Sequence, residues 1–231
     1  MSSSQSASKI RTSSWIMTYG ALLTGVLAFF LLMVTKAEKE AASTFRFADR
    51  MNERIYRQIM QEKIKHHLDW LQVEQTGTKG VKLLIPTEIG GRAFFASGDD
   101  TIARFFMIYL TRLGEIITKL HLDRIISENQ ATIARLHEVN KDVRVQIRIE
   151  GHTDVVPIGA HSRFKDNWQL STARAYQVMR YLMAVTKLPP TYFALAGYGP
   201  FHPLRSITNY AENRRVEIYL EVQMVDLSNG G

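Results

Sequence analysis

The sequence predicts an α/β two-layer sandwich carried on a single N-terminal transmembrane helix. Three observations predict it. Thr12 to Thr35 is a run of twenty-four residues without a charge, between Arg11 and Lys36. Val143 to Ile149 and Arg215 to Val222 alternate apolar and polar residues, as half-buried strands do. Helical-period segments separate the strand-like ones, and strands separated by helices pack as two layers.

The elements follow in order. Residues 1–14 are Ser-rich and polar and are expected to be a disordered cytoplasmic tail. Residues 15–35 form the span, since about twenty apolar residues at about 1.5 Å rise cross a bilayer. The run is longer than a signal-peptide core, and no A-x-A-like site follows it, so it reads as an uncleaved anchor. Lys9 and Arg11 precede it without an acid, which places the N-terminus in the cytoplasm. Residues 36–80 read as a linker region. Lys36 to Gln75 has no Pro or Gly and carries Phe45, Phe47, Met51, Ile55, Ile59, Ile64, Leu68 and Leu71 at roughly helical spacing. This is an amphipathic helix, with a possible break. Two readings stay open: a spacer or self-pairing helix, or a segment that docks on a partner or the membrane surface. Gln75 to Gly80 is a turn or linker.

A folded domain is expected over 81–222, with a tail at 223–231. Val81 to Ile85 is a strand ended by Pro86. Thr101 to Lys119 and Ser127 to Asn140 are helices, and Val143 to Ile149 is the next strand. Leu170 to Lys187 is a helix stopped by Pro189 and Pro190. Tyr192 to Gly197 and Arg215 to Val222 are the closing strands.

Composition narrows the function. The chain has 231 residues, a net charge of +7 and no cysteine, which excludes disulfides, thiol nucleophiles and thiolate metal sites. Basic residues are scattered among acids, so no nucleic acid partner is indicated. Attraction to an anionic polymer or membrane surface remains open. The histidines outside the motif, such as His66 and His67, have no metal-ligand spacing with acids. No nucleophile elbow is present, and neither an enzyme nor a cofactor is expected.

The densest signal lies in four segments: IRIEGHTDVVPI (147–158), NWQLSTARAYQVMRYL (167–182), GYGPFHPL (197–204) and NRRVEIYLEV (213–222). Asp154 ends a strand, and Ser171 is placed to cap the helix that carries Arg174. The two charges are expected to converge there. Such a pair suits a zwitterion, with Asp154 taking an ammonium and Arg174 gripping a carboxylate. Spacing alone favours the plainer alternative, an ion pair that only closes the domain. His152 reads as structural, and Thr153 as a ligand contact or a turn hydroxyl.

These segments, with Phe95-Ala-Ser-Gly98, strongly resemble the OmpA-like peptidoglycan-binding domain, whose pattern is TD, N-x-x-L-S-x-x-R-A, G-x-G and NRRVE. The resemblance covers roughly Val81 to Val222 and implies that Asp154 and Arg174 hold the diaminopimelate of a peptidoglycan stem peptide. By the same resemblance Asn167, Leu170 and Arg215 line or support the pocket, and Thr153 is a further candidate.

Trp15 to Thr24 and Leu27 to Leu31 resemble the flagellar stator B-subunit (MotB) family, with its W-x-x-[ST]-[YF]-[AG]-D-x-[ML]-T pattern followed by AFF. GHTDVVPI and NWQLSTARA favour the same branch. The resemblance implies an inner-membrane homodimer encircled by five multi-span A-type subunits. Ion flow would drive rotation while the periplasmic domain grips the wall, and residues 46–64 would be a plug. One position departs: the family's ion-carrying Asp falls at Ala21. No Asp, Glu or His lies in the span. Thr18, Tyr19 and Thr24 offer weak coordination but carry no charge, and Ala21 with Gly25 and Ala28 also forms a small-residue packing face. A passive tether between membrane and wall, and a B-type subunit of gliding, secretion or anti-phage defence, are the alternatives.

Overall fold

The structure is a computed structural model. It describes residues 3–77, 80–159, 162–204 and 210–227, so part of the Gln75–Gly80 turn and residues 228–231 of the expected tail lie outside the described residues, while 223–226 extend the last strand instead of starting a tail. The chain forms two compact units, Met1–Arg46 and Phe47–Gly231.

The first unit is one helix, α1 (Ser3–Phe45). It starts far earlier than the apolar run, so the expected disorder of residues 1–14 is corrected for 3–14. A helix already nucleated in an apolar run extends at little cost, and nothing before Gly20 breaks it. Trp15–Lys36 is long and apolar enough to cross a membrane, with a mean hydropathy of 2.1 and no part buried.

The second unit begins with α2 (Phe47–Lys65), which buries Phe47, Asn52, Ile55 and Ile59. The helical spacing read through to Gln75 stops short of its end. His67 takes a left-handed φ of 49°, and β1 (Gln72–Gln75) is a strand that pairs antiparallel with β2 (Val81–Ile85). The Gln75–Gly80 segment is therefore a hairpin turn, closed by Thr76 N donating to Gly80 O at 2.9 Å. Residues 47–80, expected to be a linker, pack into the folded unit. Their apolar residues share a core with the sheet, and that contact is long-range in sequence.

A small hairpin follows, β3 (Glu88–Ile89) and β4 (Arg92–Ala93). Then come α3 (Arg104–Lys119), α4 (Arg124–Glu128), α5 (Gln130–Glu138), β5 (Lys141–His152), α6 (Asn167–Thr186), β6 (Phe193–Gly199), α7 (Tyr210–Asn213) and β7 (Val216–Asp226). The sheet order is β1-β2-β7-β5-β6. Among the described residues only β5 and β6 pair in parallel, joined through α6.

Register explains the two layers. Ile147 sits opposite Leu220, Ile149 opposite Ile218, and Leu83 opposite Ile218 from the other side. These residues form one apolar face, and Phe106, Leu113, Val178 and Leu182 of the helices join the same core. The opposite face is polar and nevertheless buried. Arg148 pairs with Glu150 and Glu221, and its guanidinium lies 4.5 Å from the centre of the Tyr219 ring. The chemistry of β7 alternates as expected, but its burial does not, because these side chains cover one another.

Asn52 ties α2 to the sheet. Its side chain donates to Val222 O at 3.0 Å and accepts from Val222 N at 2.9 Å, just past the last β2–β7 pair. An amide side chain here takes the place of a strand.

Candidate functional site

The site forms where β5 ends against the first turns of α6. Two glycines allow the approach. A Cβ on Gly151 would lie 2.0 Å from Ser171 O, and one on Gly197 would lie 1.9 Å from Thr172 Oγ1. With hydrogen there instead, α6 lies directly on β5 and β6. The helix is capped by Asp166, which accepts from Gln169 N at 2.7 Å. Ser171, expected as the cap, sits one turn inside. Its hydroxyl donates to Trp168 O and accepts from Gly199 N at 2.9 Å, so it links helix to strand. Capping needs a residue outside the helix, and the helix starts four residues earlier than Ser171.

Asp154 and Arg174 line one cavity of about 820 Å³, with Thr153, Asn167, Leu170 and Arg215. They do not pair with each other. Asp154 Oδ2 accepts from Arg214 Nη1 at 2.6 Å, and Oδ1 accepts from Val156 N at 3.2 Å. Arg174 donates from Nε to Asp99 O at 2.9 Å and from Nη2 to Ala96 O at 3.0 Å. Its guanidinium also lies 5.0 Å from the centre of the Phe95 ring. Two of five guanidinium N–H donors are thus committed to carbonyls, which set its plane while leaving donors for a ligand.

Both charges are buried, Asp154 at 6% exposure and Arg174 at 5%. Burial, then Arg214, push Arg174 down to about 10, against Asp154 and Asp99; it stays a cation at neutral pH. Thr153 Oγ1 is buried and has no hydrogen-bond partner among the described residues. A buried polar atom without a partner is costly, and this hydroxyl keeps its hydrogen-bonding capacity unused at the cavity wall.

The remaining expected residues have supporting contacts. Asn167 Nδ2 donates to Asp154 O at 3.3 Å and Val156 O at 2.8 Å, holding the loop after β5. Leu170 is buried in the cavity wall. Arg215 is bonded away to Glu217 Oε1 at 2.6 Å and to His202 O at 3.2 Å. Ala21 and Thr24 lie in α1, where Thr24 Oγ1 donates to Gly20 O at 2.7 Å.

Sequence reasoning missed Arg214 and the carbonyls of Ala96 and Asp99. Arg214 stands inside the NRRVE segment and was recoverable there. Backbone carbonyls carry no side-chain signal, so the cradle of Arg174 was not.

Residues 121–217 match the OmpA family. Motility protein B of Helicobacter pylori (strain J99) is 29% identical over 153 residues, which cover 65% of this chain and 49% of that protein. The chain thus spans about half the length of that relative. Uncharacterized protein YtxE of Bacillus subtilis (strain 168) is 25% identical and aligns over 91% of this chain and 89% of its own length. A crystal structure of the periplasmic domain of MotB superposes with a TM-score of 0.50 at 28% identity, over 68% of this chain and 71% of that one.

Proposed function

We propose that this chain, which carries an OmpA domain and is homologous to motility protein B, is a peptidoglycan-anchoring B-type subunit of a stator complex in the inner membrane. The observation that carries the reading is one cavity lined by a buried carboxylate, Asp154, and a buried guanidinium, Arg174, that do not neutralise each other. A zwitterionic amino-acid centre such as diaminopimelate fits both, with its ammonium at Asp154 and its carboxylate at Arg174. Thr153 adds a hydroxyl contact, while Asn167, Leu170 and Arg215 shape the pocket. No reacting group is needed for this role, and the protein acts as an anchor rather than an enzyme.

In this reading residues 15–35 cross the membrane with the N-terminus cytoplasmic, and the second unit is periplasmic. The chain acts as a homodimer with a multi-span A-type subunit, five per dimer. The ion-carrying Asp of the related stators is replaced by Ala21. That replacement favours a second reading, a passive tether between membrane and wall, because no titratable carboxylate or imidazole lies in the span.

The test is retention of the full chain, in detergent, on purified sacculi. Asp154→Ala and Arg174→Ala each remove one charge-assisted partner, which corresponds to about 1–3 kcal/mol, or roughly a five- to hundredfold loss. Undiminished retention in both folded variants refutes the site. Co-purification of a multi-span partner separates the stator subunit from the tether.

A further inference from the structure

Beneath the cavity, on the polar face of the sheet, Glu150, His152 and Glu217 come together. Strand geometry brings them there. Glu150 and His152 are two apart on β5 and share a face, and Glu217 of β7 is the register partner of Glu150. Directly opposed carboxylates repel unless something lies between them.

Their outer contacts are occupied. Glu150 pairs with Arg148 and accepts from the Tyr198 hydroxyl at 3.4 Å. Glu217 Oε1 accepts from Arg215 Nε and Oε2 from the Tyr219 hydroxyl, each at 2.6 Å, which leaves Oε2 its second lone pair toward His152. The inner side is different. His152 Nε2 is 3.8 Å from Glu150 Oε2 and 3.9 Å from Glu217 Oε2, too long for hydrogen bonds. The ring is only 3% exposed, and neither of its nitrogens has a hydrogen-bond partner among the described residues. One ligand atom from each residue lies within 4.8 Å of the other two. A point equidistant from three atoms so spaced is about 2–2.5 Å from each, close to Zn–N and Zn–O lengths.

We propose that Glu150, His152 and Glu217 bind one divalent transition-metal cation, with Zn2+ the best match to their ligand chemistry. The donor set is one imidazole and two carboxylates, a borderline-to-hard combination that suits zinc. Burial keeps the imidazole neutral, the form that ligates, by holding its pKa down to about 4. Three carboxylates of this face, Glu150, Glu217 and Glu221, pair with two guanidinium groups, Arg148 and Arg215, while the nearby Lys82 pairs with Glu74. His152 lines the floor of the cavity, which supplies a path for the ion. A bound ion ties the end of β5 to the start of β7, directly below Thr153 and Asp154. It stiffens the strand ends that carry the cavity, whatever the cavity holds.

The full chain in detergent is stripped with EDTA, dialysed against Zn2+ and analysed for metal, and Co2+ serves as the spectroscopic probe. The expected result is about one Zn2+ per chain, a raised thermal midpoint and visible Co2+ ligand-field absorption. His152→Gln should lower affinity by more than the roughly 10–100-fold typical of outer-shell changes. Glu150→Gln and Glu217→Gln, each close in shape, should do likewise and provide the answer if His152→Gln misfolds. A His66→Gln/His67→Gln double variant should bind as wild type. Absence of stoichiometric metal on the wild-type chain overturns the site. So does metal binding that survives the Glu150 and Glu217 variants, or that disappears with His66 and His67.

Discussion

At the scale of single residues, the outcome turns on which buried charges have partners. Asp154 looks at first like a satisfied ion, because Arg214 holds one of its oxygens. That arginine is half-exposed, whereas Asp154 is not. Arg214 is therefore placed to yield or share the carboxylate when an ammonium arrives, and Arg214→Ala is expected to weaken sacculus retention less than Asp154→Ala. Isothermal or pull-down titration of the two variants side by side checks the order. His152 gives a pH prediction. Burial, with Arg215, His202 and Lys82 nearby, holds it at about 4 despite the opposing effect of Glu217. Unfolded, it titrates near 6.5. Between those values the unfolded chain binds the extra proton, so stability rises with pH. The contribution is complete above about pH 6.5 and is lost as pH falls to about 4, a change of roughly 3 kcal/mol. Chemical denaturation in EDTA at pH 7 and at pH 4.5 should show it, and His152→Gln should flatten that part of the pH dependence.

At the scale of elements, close approach and edge protection decide stability. Gly151 and Gly197 let α6 touch the sheet, and neither site has room for a methyl group. Gly151→Ala should cost about 3 kcal/mol or more, because the obstructing atom is backbone and cannot swing away. Gly159→Ala, where nothing lies within 4 Å of the added carbon, should be nearly neutral. Thermal midpoints of the two variants test the contrast. Asn52→Ala removes both hydrogen bonds to Val222 and leaves a buried strand edge unpaired, at about 1–3 kcal/mol. Its loss should loosen α2 first, as seen in amide exchange of residues 47–65. Such a result would also bear on whether residues 46–64 act as a plug, since Phe47, Ile55 and Ile59 are committed to the core.

At the scale of the whole molecule, the fold boundary and the apolar helix α1 carry the predictions. The compact unit starts at Phe47, so a fragment of residues 47–231 should unfold cooperatively. A fragment of 81–231 lacks α2 and β1 and exposes Val81 and Leu83 along the edge strand β2. It should aggregate or melt lower, as circular dichroism and light scattering would report. If α1 spans the membrane as proposed, ion-driven output needs a group that can lose and regain charge within the bilayer. Alanine at position 21 cannot do so. The chain is expected to assemble without driving rotation, and Ala21→Asp to gain ion flux if a partner with a matching pathway is present. Robust ion-driven output with Ala21 in place would remove this mechanism.

The sequence by itself determined where most of the long elements lie and which charged residues reach the cavity. A charge-free run, strand alternation and helical spacing are local signals, and they located α1, α3, α6, β5 and β7. The motif segments named Asp154 and Arg174, and both line the same cavity. Only the tertiary structure decided what those residues touch. Arg174 is held by two carbonyls more than seventy residues away. Asp154 is held by Arg214, sixty residues on. Residues 47–80 joined the folded unit because their apolar side chains meet a sheet built mostly from the other end of the chain. The Glu150, His152 and Glu217 cluster depends on the register of β5 against β7. Local spacing fixes periodicity along one segment. It cannot fix which segment comes to lie beside it, and the contacts that hold Arg174 to its carbonyls and Asp154 to Arg214 are of that second kind.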